Sequence, residues 1–286
     1  MKKIPIRHLT SALQEKSTFE QFKIRKLEDV VGDKDLFHDL HRHDFFFILV
    51  VKTGKGKHEI DFTTYKITEN SVYFVRPGQV HQLEMKAGST GFLLEFSSEF
   101  YHPKNKTSKL RLRKAANKNY CCFRPEGFNK FIGLLMTILN EFNAREEGYE
   151  DVIKSSLEIV FIEYVRQTSN SSDVTAPANS YSQERFEEFL ELMDKYIGTH
   201  KQVSEYTEMM NLSSYQLNQI TKSSIGKTAS ELINEHIILE AKRYLLATSN
   251  QIKDIADQLG YEDASYFIRF FKKLTGLSPQ TFRTKL

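Results

Sequence analysis

Residues 252–278 read IKDIADQLGYEDASYFIRFFKKLTGLS, and residues 203–228 repeat the same apolar pattern in VSEYTEMMNLSSYQLNQITKSSIGKT. The two copies match at an offset of 49 residues up to a central turn and of 50 residues after it. Each copy predicts two short helices with one apolar face, joined at Asn211 or Gly260, where a left-handed backbone is tolerated. This is the helix-turn-helix pattern, and it occurs twice in the 286-residue chain.

The segments around these turns favour a rigid spacing between the two motifs. Ser213 and Asp263 stand where the second helix of each motif begins, and both residue types are good N-caps. Apolar residues at helical spacing from Ala229 to Ala247 predict one continuous helix between the motifs, about 28 Å long at 1.5 Å per residue. Recognition helices that read one face of B-DNA stand about 34 Å apart. We therefore expect the chain to reach two successive major grooves.

The second helix of each motif has a polar face that folding alone does not require. Amide, phenol, hydroxyl and guanidinium groups can contact base edges in the major groove, and basic or hydroxyl side chains contact phosphates. The predicted base-contacting residues are Tyr215, Gln216, Asn218, Gln219, Ser265, Ile268 and Arg269. The predicted phosphate-contacting residues are Ser214, Lys222, Lys272 and Lys273. The alternative for each of these residues is an ordinary solvated helix face.

The net charge of the chain says little about its partners, but the distribution of charge says more. The 40 basic and 37 acidic residues leave a formal charge of +3. Residues 264–286 hold five basic residues and no acid, and residues 209–230 hold two lysines and no acid. This sorting predicts one basic face on a nearly neutral domain.

A polar segment divides the chain. Residues 168–182, TSNSSDVTAPANSYS, lack apolar periodicity and predict a linker between domains at 1–167 and 183–286. Upstream, residues 45–96 alternate short β-rich runs with turn signals at about ten-residue spacing, which is typical of an antiparallel sandwich or barrel.

Two further segments complete the N-terminal half. Residues 101–118 hold seven basic residues and no acid, and we expect a solvated loop there. Apolar residues at helical spacing then predict an antiparallel helical hairpin at about 124–167. Its wide apolar stripe must cover the sheet, a second copy of the chain, or both.

Composition and termini exclude several classes. With 40% hydrophobic and 27% charged residues the chain is globular. The longest apolar run, at 45–51, is far shorter than the ~20 residues of a membrane helix. No apolar segment follows the first three residues, so we expect no signal peptide and a cytoplasmic protein. The two cysteines, Cys121 and Cys122, are adjacent and are not expected to form a disulfide.

The residues 252–283, with the helix INEHIILEAKRYLL before them, resemble the AraC/XylS family of bacterial transcription factors. The resemblance implies an all-α DNA-binding domain with two helix-turn-helix motifs joined by a linker helix. It also implies action at promoters, usually as an activator, with RNA polymerase as a partner. The chain departs from the family pattern at His236, where Arg is common, at Ala264, where Pro is common, and at Ile268, where a small polar residue is common.

The N-terminal half resembles the family's regulatory domain more loosely. The segments at 41–43, HRH, and 77–81, PGQVH, are similar to the two boxes of cupin barrels, which supply imidazoles and a carboxylate in metal-binding members. The resemblance implies a cupin-like barrel that senses a small-molecule effector, supports a homodimer, or does both.

Three histidines are the candidate ligand-binding residues of this barrel. His41 and His43 share one face of a strand, and His81 lies in the second box. Phe47 and Ile48 stand where the cupin box places its carboxylate. We therefore predict a ligand pocket at His41, His43 and His81, with no metal and no cofactor.

The sequence predicts an α+β multidomain protein. Its N-terminal part is a cupin-like antiparallel barrel with a helical hairpin, and its C-terminal part is the double helix-turn-helix domain. We expect a homodimeric, sequence-specific regulator that binds double-stranded promoter DNA and is not an enzyme. The alternative is a metal-dependent cupin enzyme that uses the three histidines as a facial ligand set. The sequence has no phosphate-binding glycine loop, GxSxG elbow or HExxH motif.

Overall fold

The computed structural model describes residues 6, 7, 9, 21–103, 105–170 and 180–285. The chain divides into two compact units, one containing the described residues up to Asn170 and the other containing those from Ser180. Residues at both ends of the predicted linker lie in helices, and its residues 171–179 lie outside the described part.

Two five-stranded sheets form the core of the N-terminal unit. The strands are β1 (Ile6–Arg7), β2 (Phe22–Lys26), β3 (Leu36–His43), β4 (Phe46–Thr53), β5 (Gly56–Ile60), β6 (Thr63–Ile67), β7 (Ser71–Val75), β8 (Val80–Met85), β9 (Thr90–Phe96) and β10 (Tyr120–Cys122). The sheet orders are β1-β3-β8-β5-β6 and β10-β7-β4-β9-β2. Apart from the parallel pair β1 and β3, the paired strands are antiparallel. The described strands form a cupin-like jelly roll of two sheets and not one closed barrel.

The central strand β4 is apolar from Phe46 to Val51, where both of its faces are covered, whereas Lys52 and Thr53 at its end are exposed. Phe47, Leu49 and Val51 belong to the core between the two sheets. Ile48 and Val50 point the other way and belong to a second core, beneath the helices. The alternation of side chains along a strand assigns successive residues to opposite faces, so a run of seven apolar residues serves two cores at once.

The described helices of this unit are α1 (Leu27–Val31), α2 (Lys106–Ala116), α3 (Pro125–Ala144) and α4 (Tyr149–Asn170). Three of these four helices pack on the outer face of one sheet, and the short helix α1 instead buries Leu27 and Val31 in the core between the sheets. The predicted hairpin is confirmed as α3 and α4. Phe131 and Leu135 of α3 and Phe161 of α4 are buried in the core that includes the outer face of β4. Part of the apolar stripe therefore covers the sheet.

The expectation of a solvated loop at 101–118 was wrong, because α2 forms there. Asn105 caps this helix by accepting a hydrogen bond from the Ser108 N–H at 2.8 Å. Ala115 and Ala116 are buried on its inner face. The Glu158 carboxylate of α4 accepts a hydrogen bond from the Ser108 hydroxyl at 2.8 Å and a further one from Arg111. A partner distant in sequence thus neutralises part of the basic run.

The C-terminal unit is helical in all its described elements. These are α5 (Ser180–Tyr196), α6 (Val203–Met209), α7 (Ser214–Ile225), α8 (Ala229–Ala247), α9 (Ile252–Gln258), α10 (Ala264–Thr275) and α11 (Pro279–Lys285). The two helix-turn-helix motifs are α6 with α7 and α9 with α10, and the predicted connecting helix is α8. Among the described residues, no helix has the length and apolarity needed to span a bilayer.

The turns and caps of the two motifs are as predicted. Asn211 and Gly260 adopt left-handed backbone, with φ of 52° and 71°. The Ser213 hydroxyl accepts from the Gln216 N–H, and the Asp263 carboxylate accepts from the Ser265 N–H. Local chemistry therefore sets where each second helix begins.

A contact distant in sequence joins the segment before the first motif to the turn of the second. Lys201 lies between α5 and α6, and its Nζ donates to the carbonyl oxygen of Gly260 at 2.7 Å. The same Nζ lies 5.0 Å from the ring centroid of Tyr261. The two motifs are therefore connected by this contact as well as by α8.

Candidate nucleic-acid interface and ligand site

Each second helix buries one face and leaves the other to solvent. Leu217 and Ile220 anchor α7 in the core of the C-terminal unit, and Phe267 and Phe271 anchor α10. Of the predicted base-contacting residues, those exposed to solvent are Tyr215, Gln216, Gln219, Ser265, Ile268 and Arg269. The predicted phosphate-contacting residues Ser214, Lys222, Lys272 and Lys273 are exposed as well.

Asn218 has a role inside the fold. Its Oδ1 accepts a hydrogen bond from the backbone N–H of Ala229 at 3.0 Å, and the side chain is only half-exposed. This bond satisfies one of the free N–H groups at the start of α8 and joins α7 to that helix. Gln216 also has its amide oxygen occupied, because Oε1 accepts a hydrogen bond from the backbone N–H of Ser213 at 2.8 Å in a capping box at the start of α7.

Sequence reasoning missed Tyr266. Its side chain is 56% exposed on α10, and that of Tyr215 is 72% exposed on α7. Both rings are therefore accessible to a partner on the same helix faces as the predicted base-contacting residues. Tyr266 corresponds to Gln216 when the two motifs are superposed in sequence, so matching the copies position by position would have found it.

The Arg269 guanidinium has one nearby carboxylate and is still exposed enough to contact a partner. Its Nη2 lies 3.8 Å from Oδ2 of Asp263, and both side chains are mostly exposed, so this pair contributes little to stability. His236, where the family pattern commonly has Arg, is instead largely buried, with Nε2 3.6 Å from Oδ1 of Asp194. The side chain of His236 therefore faces a carboxylate of the same unit.

The three predicted ligand-pocket histidines come together inside the N-terminal unit. His41 and His81 are direct cross-strand partners on β3 and β8. Nε2 of His43 lies 2.6 Å from Nε2 of His81. All three side chains are buried, and one ring nitrogen from each lies within 4.8 Å of the others.

A break in the β3 pairing aims these rings inward. The register of β3 against β8 shifts between His38 and His41. Such an irregularity changes which face successive residues occupy. After it, His41 and His43 are buried while Arg42 between them is not.

A fourth histidine, His58, was missed by sequence reasoning. It is fully buried on β5, and its Nε2 lies 2.9 Å from Nδ1 of His81. The sequence carried a weak signal for it, since His58 and Ile60 are two positions apart in a predicted strand and therefore lie on the same face. Only the pairing of β5 with β8 reveals the neighbour, because the two histidines are far apart in sequence.

Burial makes all four imidazoles neutral. Desolvation lowers the pKa of His41 to about 4, that of His58 to about 3 and that of His43 to about 2, and neighbouring imidazoles add to the effect for His43 and His58. Desolvation also holds the pKa of His81 well below its ordinary value. Neutral rings carry a lone pair, so each histidine can act as an acceptor or a metal ligand.

An apolar ring stands beside the cluster. The ring centroid of Phe47 lies 5.4 Å from that of His43 and 5.0 Å from that of His81. This ring faces the imidazoles from the position at which the cupin resemblance implies a carboxylate. The donor set is therefore made of imidazole nitrogens.

Comparisons with known proteins match both halves of the chain. A family model described as an AraC-like ligand binding domain matches residues 31–131, and one described as a helix-turn-helix domain matches residues 206–285. The HTH-type transcriptional activator RhaR of Yersinia pestis bv. Antiqua (strain Angola) is 20% identical over 250 residues, which is 86% of this chain and 84% of RhaR. The uncharacterized HTH-type transcriptional regulator YfiF of Bacillus subtilis (strain 168) is 22% identical over 250 residues, which is 86% of this chain and 78% of YfiF. Among solved structures, unsaturated fatty acid bound ToxT from Vibrio cholerae has a TM-score of 0.44 and 19% identity, covering 96% of this chain and 98% of ToxT.

Proposed function

Because this chain belongs to the AraC-type helix-turn-helix regulators, with an AraC-like ligand binding domain ahead of its DNA-binding domain, we propose that α7 and α10 read two successive major grooves of promoter DNA. The observation that carries this proposal is the duplicated motif. Both copies are capped and anchored alike, and both hold a polar or aromatic face in solvent that the core does not use.

The side chains of these two faces divide by chemistry. Tyr215, Gln216 and Gln219 on α7, with Ser265, Ile268 and Arg269 on α10, contact base edges in this proposal. The exposed Tyr266 joins them. Ser214, Lys222, Lys272 and Lys273 contact phosphates and set the register of the protein on the duplex. Asn218 and Gln216 offer the DNA only their amide N–H groups, because both amide oxygens are bonded within the fold.

The N-terminal unit supplies sensing and pairing in this proposal. Its imidazole cluster is the centre of the effector site. The hairpin α3–α4 pairs two chains into a homodimer, which is supported by Met136, Val152 and Ile159, whose side chains are exposed on these helices. The AraC-type assignment supports an activator that works with RNA polymerase in the cytoplasm.

The curated relatives give no support to the alternative of a metal-dependent cupin enzyme. RhaR is named as a transcriptional activator and YfiF as a transcriptional regulator. We therefore assign the imidazole cluster a binding role and no catalytic role.

The test is selection of bound fragments from genomic DNA by the full chain, at low and at high salt. We expect a sequence preference that survives the higher salt and a protected region covering two major grooves on one face. Tyr215→Ala should reduce the discrimination between the selected and random fragments. Tyr181→Ala is the matched control, because Tyr181 is a tyrosine exposed on α5 and should leave binding unchanged. Binding without sequence preference, or no binding, would refute the proposal.

A further inference from the structure

We propose that His41, His43 and His81 bind one divalent first-row transition ion, that His58 orients His81 for this role, and that the N-terminal domain senses this ion. The sensing part of the proposal rests on the proposed function as a regulator. The metal site itself rests on the geometry of the cluster alone.

The hydrogen bond of His41 points its free nitrogen into the cluster. Nδ1 of His41 lies 2.6 Å from the carbonyl oxygen of Asp39. A carbonyl can only accept, so Nδ1 carries the proton and the lone pair of the neutral ring is on Nε2. This Nε2 is buried and has no hydrogen-bond partner. Metal-binding histidines are held in the same way, with the other ring N–H donated to a backbone carbonyl.

His58 can hold His81 in the equivalent state. When Nδ1 of His81 donates to Nε2 of His58, the lone pair of His81 lies on its Nε2, which is the atom 2.6 Å from Nε2 of His43. His58 thus acts as a positioning residue behind His81. An imidazole in this place fixes the ring orientation of the ligand and raises its basicity.

The cluster does not satisfy its own hydrogen-bonding capacity. Nδ1 of His43 and Nδ1 of His58 are buried without a partner, as is Nε2 of His41. Each such atom costs free energy in the folded state, and native proteins keep few of them without a functional reason. A closed structural network of imidazoles would leave fewer of these atoms orphaned. A bound ion would give the Nε2 of His41 a partner and relieve the close approach of the two other Nε2 atoms.

Distances and donor chemistry select the kind of ion. Two nitrogens bound to one zinc ion, each at about 2.0–2.1 Å, lie about 3–3.4 Å apart. The three rings already hold one nitrogen each within 4.8 Å of the others, so small side-chain rotations are sufficient. Neutral imidazoles suit zinc, copper, nickel and ferrous iron, whereas magnesium and calcium require oxygen ligands. Phe47 beside the rings removes the carboxylate that would admit the harder ions.

The binding test uses the full chain after removal of metal with a chelator. Titration with zinc is followed by calorimetry, and titration with cobalt is followed by its visible absorption, which reports nitrogen coordination. We expect one ion per chain and no binding of magnesium. His81→Ala and His43→Asn should each abolish binding, provided circular dichroism shows that they fold. His58→Phe should keep the stoichiometry and weaken affinity by about 10- to 100-fold.

His102→Ala is the matched control, because His102 is an exposed histidine of the same unit. It should leave binding unchanged. Zinc binding that persists in both His43→Asn and His81→Ala would overturn the site, since the ion would then lie elsewhere. Failure of the stripped wild-type chain to bind zinc or cobalt would overturn it as well.

The sensing role is tested by DNA affinity of the same preparations, stripped and loaded with zinc. Differential affinity for two states is what couples an effector to DNA. We expect the affinity of the wild-type chain to change by at least about fivefold, and that of a folded His81→Ala chain to stay constant. Unchanged DNA affinity with zinc bound would overturn the sensing role and leave the metal site standing. Zinc binding by a chain that binds no DNA would refute the proposed function instead.

Discussion

Replacing Gly260 by alanine tests whether the turn of the second motif is fixed by steric contact as well as by backbone conformation. Gly260 has a φ of +71°, in the left-handed region that favours glycine. A Cβ there would overlap the carbonyl oxygen of Gly198 and lie 2.6 Å from Nζ of Lys201. Gly276, which ends α10, has nearly the same φ of +75° but no atom within 4 Å of such a Cβ.

Comparing alanine at these two glycines therefore separates the free-energy cost of left-handed backbone strain from the cost of steric overlap. An alanine at Gly276 meets only the left-handed strain, which is about 1–2 kcal/mol. An alanine at Gly260 meets the same strain and also overpacks a site bounded by backbone, which adds about 1–3 kcal/mol. Lys201 can move away, but the Gly198 carbonyl cannot do so without shifting the segment between α5 and α6. Gly260→Ala should therefore destabilise the C-terminal unit by about 1–3 kcal/mol more than Gly276→Ala does.

Native-state hydrogen exchange of the full chain measures this difference. Amides of α9 and α10 report the opening free energy of the C-terminal unit without requiring that the other unit unfold. Gly260→Ala should lower this free energy more than Gly276→Ala, and it should also weaken DNA binding more. Equal losses in the two variants would refute the steric argument and leave only the backbone term.

Two further predictions concern the DNA contacts and the imidazoles. Arg269→Ala should cost about 1–3 kcal/mol and relax preference at one base pair, whereas Lys272→Ala should weaken all sequences alike and reduce the salt slope by about 1. Binding to single-base variants of the selected site at several salt concentrations distinguishes these outcomes. Burial lowers the pKa of His41 to about 4 and that of His58 to about 3 from 6.5, so stability of the metal-free N-terminal unit is full above pH 6.5 and is lost as pH falls. Between pH 6.5 and its own folded-state pKa, each of these rings lowers the free energy of unfolding by about 1.4 kcal/mol per pH unit, because the unfolded chain binds the proton in this range and the folded chain does not. Thermal unfolding of chelated protein at a series of pH values measures this, and a flat profile between about pH 6.5 and 5 would contradict it.

The C-terminal unit could be predicted from sequence because local chemistry decides its elements. The tolerance of Asn211 and Gly260 for left-handed backbone and the capping chemistry of Ser213 and Asp263 act within a few residues. Because the pattern occurs twice, the helix and turn positions predicted for one copy can be compared with those predicted for the other. The polar faces of α7 and α10 follow from the same helical periodicity.

Other features depend on partners distant in sequence, and the sequence did not reveal them. The helix α2 was missed because its basic run is balanced by Glu158 from α4. His58 was missed because only the pairing of β5 with β8 brings it to His81. The role of Asn218 at the start of α8 depends on the angle between two helices. In each case, the periodicity of one segment says nothing about the neighbour that completes the contact.

The contact of Lys201 with the Gly260 carbonyl has a consequence for the operators that this chain can use. Two motifs that are held both by a shared helix and by a second contact should adjust less independently to the duplex than two motifs joined by a helix alone. One extra base pair between the two half-sites rotates the second half-site by about 35° around the DNA axis. Two motifs joined by a flexible segment could follow that rotation. The motifs of this chain would have to bend or twist the DNA, or one motif would have to leave its groove. Operators for this chain should therefore share a single half-site separation.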